Sequence, residues 1–498
     1  MKRKEITFLS AVIFIIGSTV GAGIFFKSSE ILKLSQGDFI LAMVAWFIGI
    51  SAIVLMALSL VEVSSADNSN RGILGWSKIF VSRRLHNVNV NYYNYIFLPI
   101  TLVTMPIYCI STLEDAGMVL KNANYVILCS FAIFMWFMIV NLISFRFAEI
   151  SQWIFTAIQT IPLVFLPLWA LFSPSESSGL NHLVEQYANK ASGFLGSSKY
   201  LVLIAGIPAI AFTFDGFYLI ANNKNDLNAK AKTKLGLILV LGITIVSFLY
   251  IFLSSTFSLG SSDGTHNGLN IDPRFIKFFN VCIAVGIMGI VNGFVLSGLK
   301  QVHALNEEKK FKVYDFIEKF VHNKMLRNVK NKETNIFKYL PSWLFLFVLT
   351  SLFFVLLGIP GANFYTIDNY GVDVYGTGAY FYTFTDVIVN FTSLLVFIII
   401  QLAITGAIIN RWKNKVEVHR KRYFLVCATL SNLMFYAAII FFFVASVIDM
   451  TGLITNDTDF IISSVIKFAI LIIIIFLSIL PEIINKVFTK IRAKKQLA

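Results

Sequence analysis

The chain has 498 residues, of which 57% are hydrophobic and 14% charged, and its formal net charge is +14. A soluble domain carries roughly 25% charged residues, so this composition cannot wet the surface of a soluble fold of this size. The four cysteines (Cys109, Cys129, Cys282, Cys427) fall in apolar runs without CxxC spacing and the six histidines are scattered, which argues against disulfides and zinc sites.

The apolar residues come in runs of about 20, the length a helix needs to cross a bilayer. Twelve spans are expected, at roughly 7–26, 39–62, 93–115, 124–144, 150–172, 200–222, 235–258, 276–299, 339–358, 380–409, 423–448 and 461–485. Backbone groups in lipid must be satisfied internally, so these spans read as helices. The first begins near Ile6 and lacks the cleavage site of a signal peptide. The fold class is therefore an all-α integral membrane protein of about twelve transmembrane helices.

The basic residues test this count. With the N-terminus cytoplasmic, 33 of the 41 Lys and Arg residues fall in cytoplasmic segments and 8 outside, among them Lys27. That asymmetry follows the positive-inside rule. It places both termini in the cytoplasm of a multi-pass plasma-membrane protein. It also assigns the +14 to topology and anionic lipid, with no nucleic-acid partner. The longest cytoplasmic loop, 300–338, carries Val313, Phe316, Ile317, Phe320 and Val321 at helical spacing beside Lys312, Lys319 and Lys324. It reads as a short amphipathic helix on the inner leaflet.

The first span contains Gly17-Ser18-Thr19-Val20-Gly21-Ala22-Gly23-Ile24-Phe25. Each glycine costs roughly 1 kcal/mol against alanine inside a helix. Two arrangements compensate: close helix packing through the Gly17/Gly21 pair, or local unwinding that frees backbone N–H groups to bind a carboxylate. The spacing alone does not choose. The sixth span contains Pro208-Ala209-Ile210-Ala211-Phe212-Thr213-Phe214-Asp215-Gly216-Phe217, with a proline, a glycine and an ionisable residue at membrane depth. Two interrupted helices five spans apart point to unwinding and to an inverted-repeat transporter with its substrate between the breaks. The repeats would be residues 1–172 and 173–410. Residues 411–498 would add two more helices and a basic tail.

The run Gly17–Phe25 resembles the first-helix signature of the amino acid–polyamine–organocation permeases, and Phe212–Phe217 resembles their sixth-helix signature. Ala57–Glu62 is similar to the end of that family's second helix, and Asn141–Gln152 to its fourth-to-fifth junction. The resemblance implies the five-plus-five (LeuT-like) inverted repeat, a substrate that is an amino acid or polyamine, and no cofactor beyond a coupling H+ or Na+. It implies that the N–H groups around Gly21, Ala22 and Gly23 hold the substrate carboxylate. Carbonyls near Thr19, Phe212 and Asp215 would take its ammonium beside Gly216, with Phe212 as an aromatic gate. Two departures stand out. Asn222-Asn223-Lys224-Asn225-Asp226 lacks the family's acid before the lysine and its proline. The fifth span has Gln159 near the place where some members carry a sodium-replacing lysine, so proton coupling by such a lysine is not expected.

Other polar residues at depth carry two readings each. Asp386, one turn before Asn390 in the tenth span, is a coupling-ion or substrate-side-chain site, or an interfacial or structurally paired acid. Asp215 faces the cavity or only caps the broken helix. Asn292 and Ser297 in the eighth span ligate sodium with carbonyls of the first span, or bond to neighbouring backbone. Glu62, Glu114, Asp115 and His303 read as interfacial or capping groups. HExxH, GxSxG and P-loop patterns are absent from the sequence, which argues against a membrane enzyme. A secondary transporter is the expectation. A channel or nutrient receptor on the same fold is the alternative, and the oligomeric state is left open.

Overall fold

The computed structural model describes residues 5–67, 69–118, 120, 123–174, 180–187, 193–306, 335–358, 379–454 and 458–497. Among the described residues, eleven helices are long and apolar enough to cross a membrane, and a bent helix pair makes a twelfth span.

That pair opens the chain. In α1 (Phe8–Thr19) Thr7 is the N-cap, its Oγ1 accepting from the Ser10 amide at 3.2 Å. Helix α2 (Ala22–Leu34) resumes after Val20 and Gly21, and the axis bends by 45° across the break. In α3 (Phe39–Val63) the cap is Asp38, which accepts from the Leu41 amide at 3.1 Å. After the short α4 (Gly72–Phe80), helix α5 (Arg83–Tyr92) runs through a π-helical turn at Tyr93–Phe97 into α6 (Leu98–Asp115). Then come α7 (Ala123–Ile143) and α8 (Phe145–Phe172), followed by two short helices, α9 (Leu180–Tyr187) and α10 (Gly193–Gly196). Helix α11 (Val202–Thr213) is broken from a 3-10 helix at Phe217–Asp226. The remainder is α12 (Ala229–Thr233), α13 (Leu235–Gly260), α14 (Pro273–Asn306), α15 (Asn335–Phe353), α16 (Ala379–Lys413), α17 (Phe424–Met450) and α18 (Thr458–Leu497).

Helix α14 packs along α6 and α8, α3 along α13, α11 and α17, and α1 against α13 and α14. In the most apolar stretch of Arg83–Asp115, 89% of residues are buried, against 17% for Phe424–Thr451. The former is a core span and the latter a peripheral one. Trp136, Ile139 and Ile143 of α7 and Phe172 of α8 are exposed. Such large apolar side chains on the outside of long helices suit contact with lipid chains.

Several expected boundaries move. The third span starts at Arg83, ten residues before the expected 93, because its polar first turns bury His86 and Asn89 against Ser77 of α4. The eighth span continues to Asn306, so Lys300 is part of α14 rather than the 300–338 loop. It is buried, paired with Asp226 at 2.7 Å. Lys27, expected in the outer loop, lies inside α2 and is 1% exposed, because carboxylates from two helices surround it. Glu62 is a buried ion-pair partner of Arg411 at 2.6 Å, not a helix cap. His303 stacks edge-on against Tyr339. The amphipathic segment expected at residues 313–321 lies outside the described residues.

Candidate functional site

Both breaks form where the local sequence disfavours a continuous helix. After Thr19, Val20 and Gly21 are extended, with φ of −73° and −174°. After Thr213, the chain turns through Phe214 and Asp215 to Gly216, whose φ is +99°. That left-handed conformation favours glycine. A Cβ on Gly216 would also lie 2.3 Å from the Ser18 carbonyl oxygen, so the residue allows close approach as well. The packing reading of the first-span glycines holds alongside the unwinding. A Cβ on Gly17 would meet Thr156 Oγ1 at 2.0 Å, and one on Gly21 would meet Ile290 at 2.2 Å.

The two breaks touch. Ser18 Oγ donates to the Gly216 carbonyl at 3.3 Å. The Tyr250 hydroxyl of α13 lies 3.2 Å from the Thr19 carbonyl and 2.8 Å from the Thr213 carbonyl. Between them is a cavity of about 10 Å³ lined by Thr19, Gly23, Met105, Phe212, Thr213, Asp215 and Ile290. That is room for about one water, so this is a closed form. The arms leave the breaks on two sides. At the start of α1, Ile6 pairs with the end of the 3-10 helix, its amide donating to the Asp226 carbonyl at 2.8 Å and its carbonyl accepting from the Asn228 amide at 3.0 Å. On the other side, α2 packs against α11.

The helix ends at this cavity set its electrostatics. A helix's first turn presents N–H groups and its last turn carbonyls beyond the intrahelical ladder; here α2 begins at the cavity and α1 and α11 end there, with the Phe212 carbonyl accepting from the Asp215 amide at 3.0 Å and the Thr19 and Thr213 carbonyls from Tyr250 Oη. An anion is favoured at the start of α2 and a cation at the ends of α1 and α11. Thr19, Gly23, Phe212 and Asp215 line the cavity, Gly21 and Gly216 lie in the breaks, and Ala22 opens α2. The Asp215 carboxylate is buried, its two oxygens accepting from Tyr218 Oη at 2.7 Å and Ser393 Oγ at 2.6 Å.

Above Phe212 sits a charged cluster that sequence reasoning placed only in part. Asp386 accepts from Lys27 Nζ at 3.1 Å, from Tyr108 Oη at 2.7 Å and from Asn390 Nδ2 at 3.1 Å. Lys27 also meets Glu30 at 2.5 Å and lies 5.4 Å from the centre of the Phe212 ring. Lys27 had a local signal, since it follows Gly23 by one turn and Glu30 follows it by three residues. Tyr108, Met105, Tyr250 and Ser393 had none, because only folding brings them to the breaks.

Asn292 and Ser297 are elsewhere. Asn292 Nδ2 donates to the Ala148 carbonyl and to Gln152 Oε1, both at 2.9 Å, while its Oδ1 accepts from Asn141 at 3.0 Å. It thus ties α14 to α7 and α8. Ser297 Oγ accepts from Asn223 at 3.0 Å, in a cluster with the buried Lys300 and Asp226. Gln159 is 3% exposed, and neither polar atom of its side-chain amide has a hydrogen-bond partner among the described residues.

The His266 imidazole, in the loop between α13 and α14, is pushed below its ordinary value by burial, which the Asn280 hydrogen bond and nearby Asp263 offset in part. Its ring packs edge-on against Phe25 of α2 at 5.0 Å.

Comparison with known proteins agrees with this architecture. A family model described as amino acid permease matches residues 6–477. An uncharacterised protein of Mycoplasma pneumoniae is 28% identical over 470 residues, covering 86% of this chain and 82% of that protein. The serine/threonine exchanger SteT of Bacillus subtilis is 23% identical over 348 residues, covering 64% of this chain and 71% of SteT. Two broken helices meeting at a small cavity, within a twelve-span helical bundle matched nearly end to end, make this chain a transporter rather than an enzyme, and it belongs to the amino acid permease family.

Proposed function

We propose that the chain carries an amino acid across the plasma membrane by alternating access, with the substrate's charged head held between the two breaks. Its carboxylate would sit on the N–H groups of Gly21, Ala22 and Gly23, and its ammonium on carbonyls near Thr19, Phe212 and Asp215. The observation that carries this is the meeting of helix ends of opposite polarity around one cavity. A polyamine lacks the carboxylate that the start of α2 would bind, so an amino acid fits better.

The basic residues support a cytoplasmic position for the Ile6–Leu227 side and for both termini. The Lys27–Asp386 pair then lies on the external side of Phe212, closing the path from outside in this form. Residues 1–172 and 173–410 act as the two inverted repeats in this scheme, with α17 and α18 as an addition.

Uptake into liposomes by the purified chain tests the proposal. SteT is named as an exchanger, so the liposomes should be preloaded with mixed amino acids. Sodium and pH are varied to find a coupling H+ or Na+. Saturable uptake of an amino acid supports the reading. A chain correctly inserted yet inert toward all twenty amino acids contradicts it.

A further inference from the structure

We infer that the Asp215 carboxylate selects substrates whose side chain is positively charged, so that the preferred cargo is a cationic amino acid. This rests on the transport reading above and deepens it.

An amino-acid head is a zwitterion, and the helix ends around the cavity already supply matching partial charges for both of its halves. Asp215 adds a carboxyl group to the same cavity, which in its ionised form would bring a full negative charge. Among the described residues no Lys, Arg or His pairs with it, and its partners are two hydroxyls and the Gly216 amide. An ionised carboxylate buried without a counter-charge is costly, and a positive charge on the substrate would supply that counter-charge. Lys27 does not serve: it is engaged with Asp386 and Glu30 and touches the Phe212 ring.

The surroundings suit a side chain with an apolar stem and a charged tip. Met105, Ile290 and Phe212 line the same cavity and would clad methylene groups. Thr19 lines the cavity, and its buried Oγ1 has no hydrogen-bond partner among the described residues, which leaves it able to accept from an ammonium or guanidinium. A carboxylate offers about four acceptor positions. Two hydroxyls and one amide leave room for one more donor at Asp215.

The test uses full-length protein in preloaded liposomes and compares uptake of radiolabelled lysine, ornithine and leucine, with and without sodium and pH gradients. Wild type is expected to prefer lysine over leucine. Asp215→Asn should lower the lysine-to-leucine ratio by at least about 10-fold, the scale of one charged hydrogen bond. Asp215→Glu, which reaches one methylene further, should shift preference from lysine toward the shorter ornithine. That shift is a readout that a merely structural aspartate would not move, and it stands if Asp215→Asn fails to insert. An unchanged ratio in Asp215→Asn, or an unchanged lysine-to-ornithine preference in Asp215→Glu, overturns the inference. So does a wild type that prefers leucine and shows a sodium or pH dependence abolished in Asp215→Asn, since the cation would then be a coupling ion. A wild type that transports no amino acid at all removes the transport reading, and this inference with it.

Discussion

The Lys27 ammonium of α2 and the Asp386 carboxylate of α16 lie 3.1 Å apart although 359 positions separate them in the chain. The pair joins the arm that leaves the first break to α16. It lies beside the Phe212 ring, which lines the cavity.

Removing one member of such a pair leaves the other buried and uncompensated, at a cost of about 3–5 kcal/mol. Lys27→Met is therefore expected to lower the thermal stability of the closed form strongly. The double variant Lys27→Met/Asp386→Leu should lose less than the sum of the two single changes. A melting series of detergent-purified protein reads this directly. For Asp386→Asn, unchanged uptake with unchanged sodium and pH dependence would remove Asp386 from the mechanism.

Gly216→Ala should abolish uptake. The left-handed backbone costs an alanine roughly 1–2 kcal/mol, and its methyl would fall 2.3 Å from the Ser18 carbonyl oxygen. The two breaks would be forced apart. Uptake and melting temperature measured together check this, and a variant with wild-type values for both would refute it.

Tyr250→Phe deletes the hydroxyl shared by the Thr19 and Thr213 carbonyls. Two buried acceptors then lose a donor, a loss of about 1–3 kcal/mol. The free protein should melt lower than wild type. A transported amino acid whose ammonium replaces the missing donor should recover more of that loss in the variant than it adds to wild type.

His266 gives the pH prediction. Burial holds its folded-state value below the ordinary 6.5. An unfolded or opened state therefore binds the proton first, and the stability contribution is fully present above about pH 6.5. It declines as pH falls from there toward the folded value, by up to about 1.4 kcal/mol per pH unit. Melting curves from pH 7.5 down to 5.5 should fall more steeply for wild type than for His266→Gln.

Both breaks were legible in the sequence because their causes are local. Glycines cluster at Gly17–Gly23, and Pro208, Asp215 and Gly216 share one apolar run. The span count was legible for a similar reason, since hydropathy and charge alternate along the chain. What the sequence hid is the pairing across it. Lys27 looked like a loop residue because a lysine at membrane depth is expensive, and the carboxylate that compensates it is supplied by α16. The polar start of the third span looked like a loop because its buried partner, Ser77, lies on α4. Tyr250 and Ser393 sit in ordinary apolar helices, and only the packing of α13 and α16 brings them to the breaks.

The central claim is that the two broken helices hold an amino-acid head between them. An experimental structure with the transported amino acid bound tests it most directly. The ligand carboxylate is expected within hydrogen-bond reach of the amides of Gly21, Ala22 or Gly23, and the ammonium against carbonyls at the ends of α1 and α11. A ligand bound elsewhere, with both breaks unoccupied at saturating concentration, would contradict it.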